Sequence, residues 1–396
     1  MSKAKVVIAA LFVEVLLLGS GTCNGGPDDK VRVIFTGEIA GSNELFLQWI
    51  EQEPHFSLTR VPCDIEWMPS LADAKRMVRI YVPRSERELA EGYDVAIFED
   101  FTPDVMSIEQ IDWFQRSVER GMGLGLVEFC NWGGTNDIEK WMAMSFYEVF
   151  PAKVMLNNIP ATSGRTYYRI VNEEGPLNLP GIESVALNAG HHGDITPRLD
   201  STVEAVWKGR GTPAVVTKIY GEGHVLQVDH GWDNIPGSSR VDYRYMMDFV
   251  YNQIYFMAGL PYPKDLELVH LIRERFVAYQ QRRKATYAVI DFVQRFGART
   301  VRVERRLDSM TDLYREAARD YLQSRYEEAS ARLDELFSQF PEIDSELIKA
   351  KQRALMWIYI VEWSTVSAAS LICGLILWSI MVRRRLYREV STTRMA

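Results

Sequence analysis

The chain is poor in cysteine and histidine, with four and six in 396 residues. Cys23, Cys63, Cys130 and Cys373 are too few and too scattered for a disulfide framework, although a single Cys63–Cys130 bridge stays open. No Cys-x-x-Cys and no His-Glu-x-x-His occurs, so the zinc-binding spacings are missing and neither a metal nor a cofactor is expected. No Asn-x-Ser/Thr acceptor occurs either. Positive charge is in deficit, with 45 Lys and Arg against 53 Asp and Glu, a net −8. That balance argues against nucleic acid, whose phosphates demand a cationic surface.

Charge is absent altogether from Trp363 to Val382, and Arg383-Arg384-Arg385 follows at once. A run of that length matches the ~20 residues that span a bilayer core. The arginines behind it read as a cytoplasmic stop. Leu355–Val361 extends the run upstream, with Trp357, Tyr359 and Trp363 spaced like an outer aromatic belt and Glu362 near the interface. The small residues Ser364, Ser367, Ala368, Ala369, Ser370 and Gly374 permit close packing against a partner helix. At the other end, Lys3 and Lys5 precede an apolar stretch, Val6–Gly19, broken only by Glu14. It is too short to span and reads as a signal peptide over residues 1–22, with a lipid on Cys23 as the alternative ending.

Between the ends, residues 30–262 alternate apolar strands with amphipathic helices. Strands are expected at Val31–Phe35, Tyr93–Phe98 and Gly123–Phe129, and helices at Asn43–Ile50 and Ile108–Gly121. Such alternation predicts a parallel sheet covered by helices, with ligands beyond the carboxyl ends of the strands. The residues falling there are Glu99, Asp100, Asp104, Asn131, Trp132, Asp229, His230, Trp232 and Asp233. Carboxylates beside tryptophans suit a polar ligand such as a sugar. The competing reading makes the tryptophans core caps and the aspartates turn and helix caps. His191-His192 in a Gly-rich segment reads as a solvated loop rather than a metal site.

Four stretches carry a family resemblance: Tyr93–Asp100, Val118–Leu126, Tyr147–Pro151, and Pro213–Asp233 with its Tyr220-Gly221-Glu222-Gly223 turn. Together they resemble the class I glutamine amidotransferase-like superfamily, nearest to its trehalose-utilisation-type (ThuA-like) branch. The resemblance implies a flavodoxin-like α/β sandwich. It also implies a nucleophilic cysteine in a Gly-x-Cys-x-Gly elbow and a His-x-Glu after a late strand. Here Cys130 is flanked by Phe129 and Asn131, and no Glu stands two residues after His230. Both motifs are broken, so a binding module is expected. The alternative is a thiol-dependent amidase or hydrolase using Cys130, with His230 as base and Asp233 or Asp229 orienting it.

Pro261-Tyr262-Pro263 marks a boundary. Residues 263–354 carry charged helical patterns and read as a helical stalk, with Gly297 ending one helix. Ala317–Phe340 resembles one helical pair of a tetratricopeptide-type repeat, and a small antiparallel bundle is the simpler reading. The whole chain thus predicts an extracytoplasmic α/β head, the stalk, a transmembrane helix over 355–382 and a cytoplasmic tail over 383–396 at the cell membrane. The bilayer is the first expected partner, with other membrane or surface proteins next.

Overall fold

The computed structural model describes residues 30–39, 43–64, 68–129, 137–156, 165–188, 193–232, 243–298 and 300–393. The signal segment, Cys23, Cys130, Asn131, Trp132, His191, His192 and Asp233 lie outside the described residues. The chain divides into two compact units, Met1–Val277 and Ala278–Ala396.

The first unit begins β1 (Val31–Gly37), α1 (Asn43–Gln52), β2 (Phe56–Pro62), α2 (Leu71–Tyr81), α3 (Glu86–Gly92), β3 (Val95–Glu99), α4 (Ile108–Glu119) and β4 (Gly123–Val127). There follow α5 (Ile138–Met142) and the short strands β5 (Ala152–Val154), β6 (Arg165–Thr166), β7 (Tyr168–Ile170), β8 (Leu187–Asn188) and β9 (Ile195–Pro197). The longer β10 (Ser201–Trp207), β11 (Pro213–Tyr220) and β12 (Gly223–Val228) then lead to α6 (Met246–Met257). The helices start where serines allow it. Ser70 accepts from the Asp73 N–H and Ser85 from the Glu88 N–H, and Ser107 forms a reciprocal box with Gln110.

The eight-stranded sheet has the order β2-β1-β3-β4-β12-β11-β10-β7. Strands β2, β1, β3, β4 and β12 run parallel, and β11, β10 and β7 add antiparallel. The unit is therefore α/β with a mostly parallel sheet, as expected, and an antiparallel edge makes that sheet mixed. The cause is local: the tight turn between Tyr220 and Gly223 returns the chain as a hairpin, without the helical crossover that parallel pairing needs.

Side chains alternate across the sheet as its pleat requires. Val33, Phe35, Val95 and Ile97 join one core with α1 and α6. Ile34, Ala96, Phe98, Leu124 and Leu126 join another with α2, α3, α4 and α5. Two close approaches depend on glycine. Gly37 has φ +120°, and a Cβ there would stand 1.9 Å from the Glu99 carbonyl oxygen, so β1 and β3 could not end side by side. A Cβ on Gly123 would stand 2.2 Å from the Met257 carbonyl oxygen, where α6 presses on β4.

Helix α7 (Leu266–Arg295) crosses the border between the units. Its first turns belong to the first unit, which runs to Val277. Arg273 and His270 are buried there, both bonded to the buried Asp248 of α6. The Arg273 guanidinium also lies over the rings of Tyr251 and Tyr255, at 5.0 and 5.5 Å.

The second unit comprises the rest of α7, α8 (Val301–Leu322), α9 (Tyr326–Ser338) and α10 (Phe340–Thr393). Gly297, at φ +78°, closes α7. Its N–H bonds the Gln294 carbonyl and the Ala298 N–H bonds that of Val293, which satisfies the carbonyls a helix end leaves free. Tyr279, Ile290, Val303, Leu307, Met310, Leu336, Phe340, Ile343 and Leu347 form the core of this unit. The α8–α9 pair is pinned by the buried Asp320, which takes hydrogen bonds from Arg325 and Arg332.

Helix α10 leaves that core after Ala354. From Met356 to Arg385 all but Ile358 are exposed, including Trp357, Leu371 and Trp378. It is long and apolar enough to cross a membrane.

Candidate functional site

Strands β1, β3, β4 and β12 end at one level. Gly37 pairs with Glu99, Glu99 with Val127, and Val127 with Val228. The next residues therefore stand in a row. The Asp100 N–H donates to the Val127 carbonyl at 3.2 Å, and the Glu128 N–H to the His230 carbonyl at 3.2 Å. Asp100 (φ +39°) and Glu128 (φ +62°) both adopt the left-handed conformation that side-chain-bearing residues avoid. Below them, Phe98, Phe101, Phe129, Trp141, Phe146 and Phe150 form an aromatic bed, with the Trp141 indole N–H on the Phe101 carbonyl at 3.0 Å. This bed fixes the turns from beneath.

The structure brings Glu99, Asp100, Asp229 and His230 together at the strand ends, all buried. His230 is fully engaged. Its Nδ1 lies 2.9 Å from Asp229 Oδ1, and its Nε2 lies 2.6 Å from the Tyr168 hydroxyl. The other oxygen of Asp229 accepts from the Trp207 indole N–H at 2.7 Å. A carboxylate can only accept, so Nδ1 carries the proton and Nε2 accepts from Tyr168. Burial first, then the neighbouring Asp229 carboxylate, pushes the Tyr168 phenol well above its ordinary value, so it keeps the proton it donates. Tyr168, Trp207 and His230 also meet as rings, with centroids 5.1 to 5.6 Å apart.

Other candidates sit elsewhere. Trp232 is buried in the core, 6.3 Å from the Phe35 ring, and its indole N–H donates to Gln253 at 3.0 Å. It presents no free face for stacking. Asp104 lies on the exposed rim, where Lys140 bridges it to Asp137. Cys63 is a free thiol at the end of β2, and burial pushes it up to about 12. Among the described residues, no group of three or more His, Cys, Asp or Glu is arranged to hold a metal ion.

Sequence reasoning did not single out Tyr168, Trp207 or Glu128. Nothing local marks the first two, because they reach His230 and Asp229 from β7 and β10. Glu128 had a weak mark: it stands directly after an all-apolar strand, where a tight turn begins.

No family model matches the chain, and no curated protein matches it. Among solved structures, a cytoplasmic protein from Salmonella typhimurium has a TM-score of 0.46 at 15% identity, over 57% of this chain and 99% of that one. A β-galactosidase from Rahnella sp. R3 has a TM-score of 0.38 at 11% identity, over 59% of this chain and 32% of that one. An exo-β-1,4-mannosidase from an Opitutaceae bacterium has a TM-score of 0.35 at 14% identity, over 58% and 36%. Likenesses of this size assign neither family nor activity.

Proposed function

We propose that this chain is a single-pass membrane protein whose α/β unit is an extracytoplasmic, non-catalytic glutamine amidotransferase-like module of flavodoxin-like type, used for binding or assembly. One observation carries the reading: both ring nitrogens of His230 are held in a buried network, by Asp229 and Tyr168. A general base needs a nitrogen that can take a proton from a nucleophile, and here that position is filled by a phenol. The left-handed turn after β4 supports the same reading, because its residue is Glu128 and not a thiol. Orientation rests on Arg383–Arg385, the cationic flank that stays in the cytoplasm. The partner in this reading is another membrane or surface protein, or a polar ligand such as a sugar.

The test is the alkylation rate of Cys130 by iodoacetamide against pH, read by peptide mass spectrometry. An ordinary or protected thiol agrees with the proposal. A thiolate pKa well below the ~8.5 of free cysteine, restored to ordinary by His230→Ala, would replace it with a thiol-dependent amidase or hydrolase.

A further inference from the structure

Strands β2 and β7 are the two edges of the large sheet. The chain covers the β7 edge itself. The Ile170 N–H donates to Glu183 Oε1 at 2.7 Å, and the turn at Ile182–Ser184 lies beside it. Edges left open invite another strand, and β2 is left open. On its inner side the His55 carbonyl accepts from the Val31 N–H at 2.8 Å, and the Cys63 N–H donates to the Gly37 carbonyl at 3.3 Å. Main-chain groups of alternate residues point the same way along a strand. Residues 55, 57, 59, 61 and 63 therefore face β1, while Phe56, Leu58, Arg60 and Pro62 face outward. Among the described residues, nothing bonds the N–H of Leu58 or of Arg60.

This edge reads the same in both directions. Phe56 offers only its carbonyl, because its N–H is bonded to the Glu53 carbonyl at 3.1 Å. Leu58 and Arg60 each offer an N–H and a carbonyl. Pro62 again offers only a carbonyl, having no N–H. A pattern of acceptor, donor with acceptor, donor with acceptor, acceptor is mapped onto itself by a two-fold axis at its centre. Two-fold interfaces need that self-complementarity.

We propose that two copies of this chain pair through β2, antiparallel, about an axis at Thr59, so that their sheets become one. Leu58 exchanges both main-chain bonds with the second copy's Arg60, and Arg60 does so with the second copy's Leu58. The ladder stops on each side at the residues that have no N–H to give. Thr59 faces Thr59 of the second copy, a cross-strand pair that sheets favour. Glu51 already neutralises Arg60 at 2.7 Å, which blunts repulsion between the two arginines. On the Thr59 face, Ser57 and Thr59 line an open groove with Ile80, Tyr81, Val82 and Pro83. Ile80 is 57% and Tyr81 46% exposed. The axis joins the grooves of the two copies and gives these side chains cover. The pairing stands on the sheet edge alone and is independent of what the strand-end groups bind.

The experiment uses the full chain in detergent, carrying Cys23→Ser, Cys130→Ser and Cys373→Ser. Thr59→Cys or Ser57→Cys is added, and copper phenanthroline oxidises the thiols. Disulfide-linked dimer is read on a non-reducing gel. In the proposed register the two residues at 59 lie about 4.5 Å apart between Cα atoms, within disulfide reach. Those at 57 are offset by about 13 Å along the strands and are out of reach. Thr59→Cys should therefore link at least about tenfold faster than Ser57→Cys, although Ser57 is the more exposed. Adding Leu58→Pro deletes an outward N–H and no bond within the sheet. It should cut linking at 59 by about tenfold with the circular dichroism unchanged. Equal linking at 57 and 59 overturns the pairing, because contact through α10 or chance collision gives no preference for 59. Linking at neither also overturns it and leaves the edge to a strand of another protein.

Discussion

The hydroxyl of Tyr168 stands 2.6 Å from Nε2 of His230, across strands that are distant in sequence, and both groups are buried. The bond closes a chain from Trp207 through Asp229 to His230 and Tyr168. Tyr168→Phe keeps the ring and deletes the donor. Leaving Nε2 buried and unmatched should lower the unfolding free energy by about 1–3 kcal/mol. Urea unfolding of the full chain in detergent measures this. An unchanged midpoint would mean that the hydroxyl contributes nothing there.

Cys63 should resist alkylation. Burial pushes its thiol up to about 12, so very little thiolate is present at pH 8 to attack iodoacetamide. Peptide mapping should find Cys63 unmodified in the native chain and fully modified in urea. A Cys63 protected under both conditions until a reductant is added would reveal a disulfide instead.

Arg273→Met should cost about 3–5 kcal/mol, because Asp248 then loses its guanidinium partner while buried. The hydrogen bond from His270 remains, so part of the compensation survives. Adding Asp248→Asn removes the stranded charge and should recover some of the loss. Thermal unfolding of the single and double variants tests both statements.

The α8–α9 pair should loosen in acid. Burial pulls the Asp320 carboxyl upward, yet the hydrogen bonds from Arg325 and Arg332 outweigh it and hold the group below its usual value. A depressed carboxyl stabilises the fold above its unfolded pKa of about 3.9 and loses that contribution as pH falls through the lower folded value. Hydrogen exchange of amides in residues 317–333 should therefore quicken below about pH 4. Asp320→Asn should show the faster exchange at neutral pH and little further change in acid.

Much of the α/β unit was legible because its signals are local. Val31–Gly37, Val95–Glu99 and Gly123–Val127 are apolar runs bounded by turn residues, and each became a strand within a residue or two of its expected limits. Gly297 ended its helix because a left-handed residue closes a helix best as glycine. The α10 segment was readable from composition alone. Asp229 and His230 were found as strand-end residues, while their partners were not, because a buried hydrogen bond between β7 and the end of β12 leaves no trace in spacing. The contact of α7 with α6 was hidden for the same reason. Arg273 looks like one more charge on a charged helix until Asp248 is found beneath it.

The position of β12 sets an order on assembly during synthesis. It is the last strand of the large sheet to be made, yet it lies between β4 and β11. Until residues 128–222 have emerged and β12 has been inserted, β4 offers an unpaired edge of wholly buried-type residues. Such an edge is prone to pair with another chain. The unit therefore cannot close progressively from its N-terminus, and a nascent chain stalled before Gly223 should depend on a chaperone to stay apart from its neighbours.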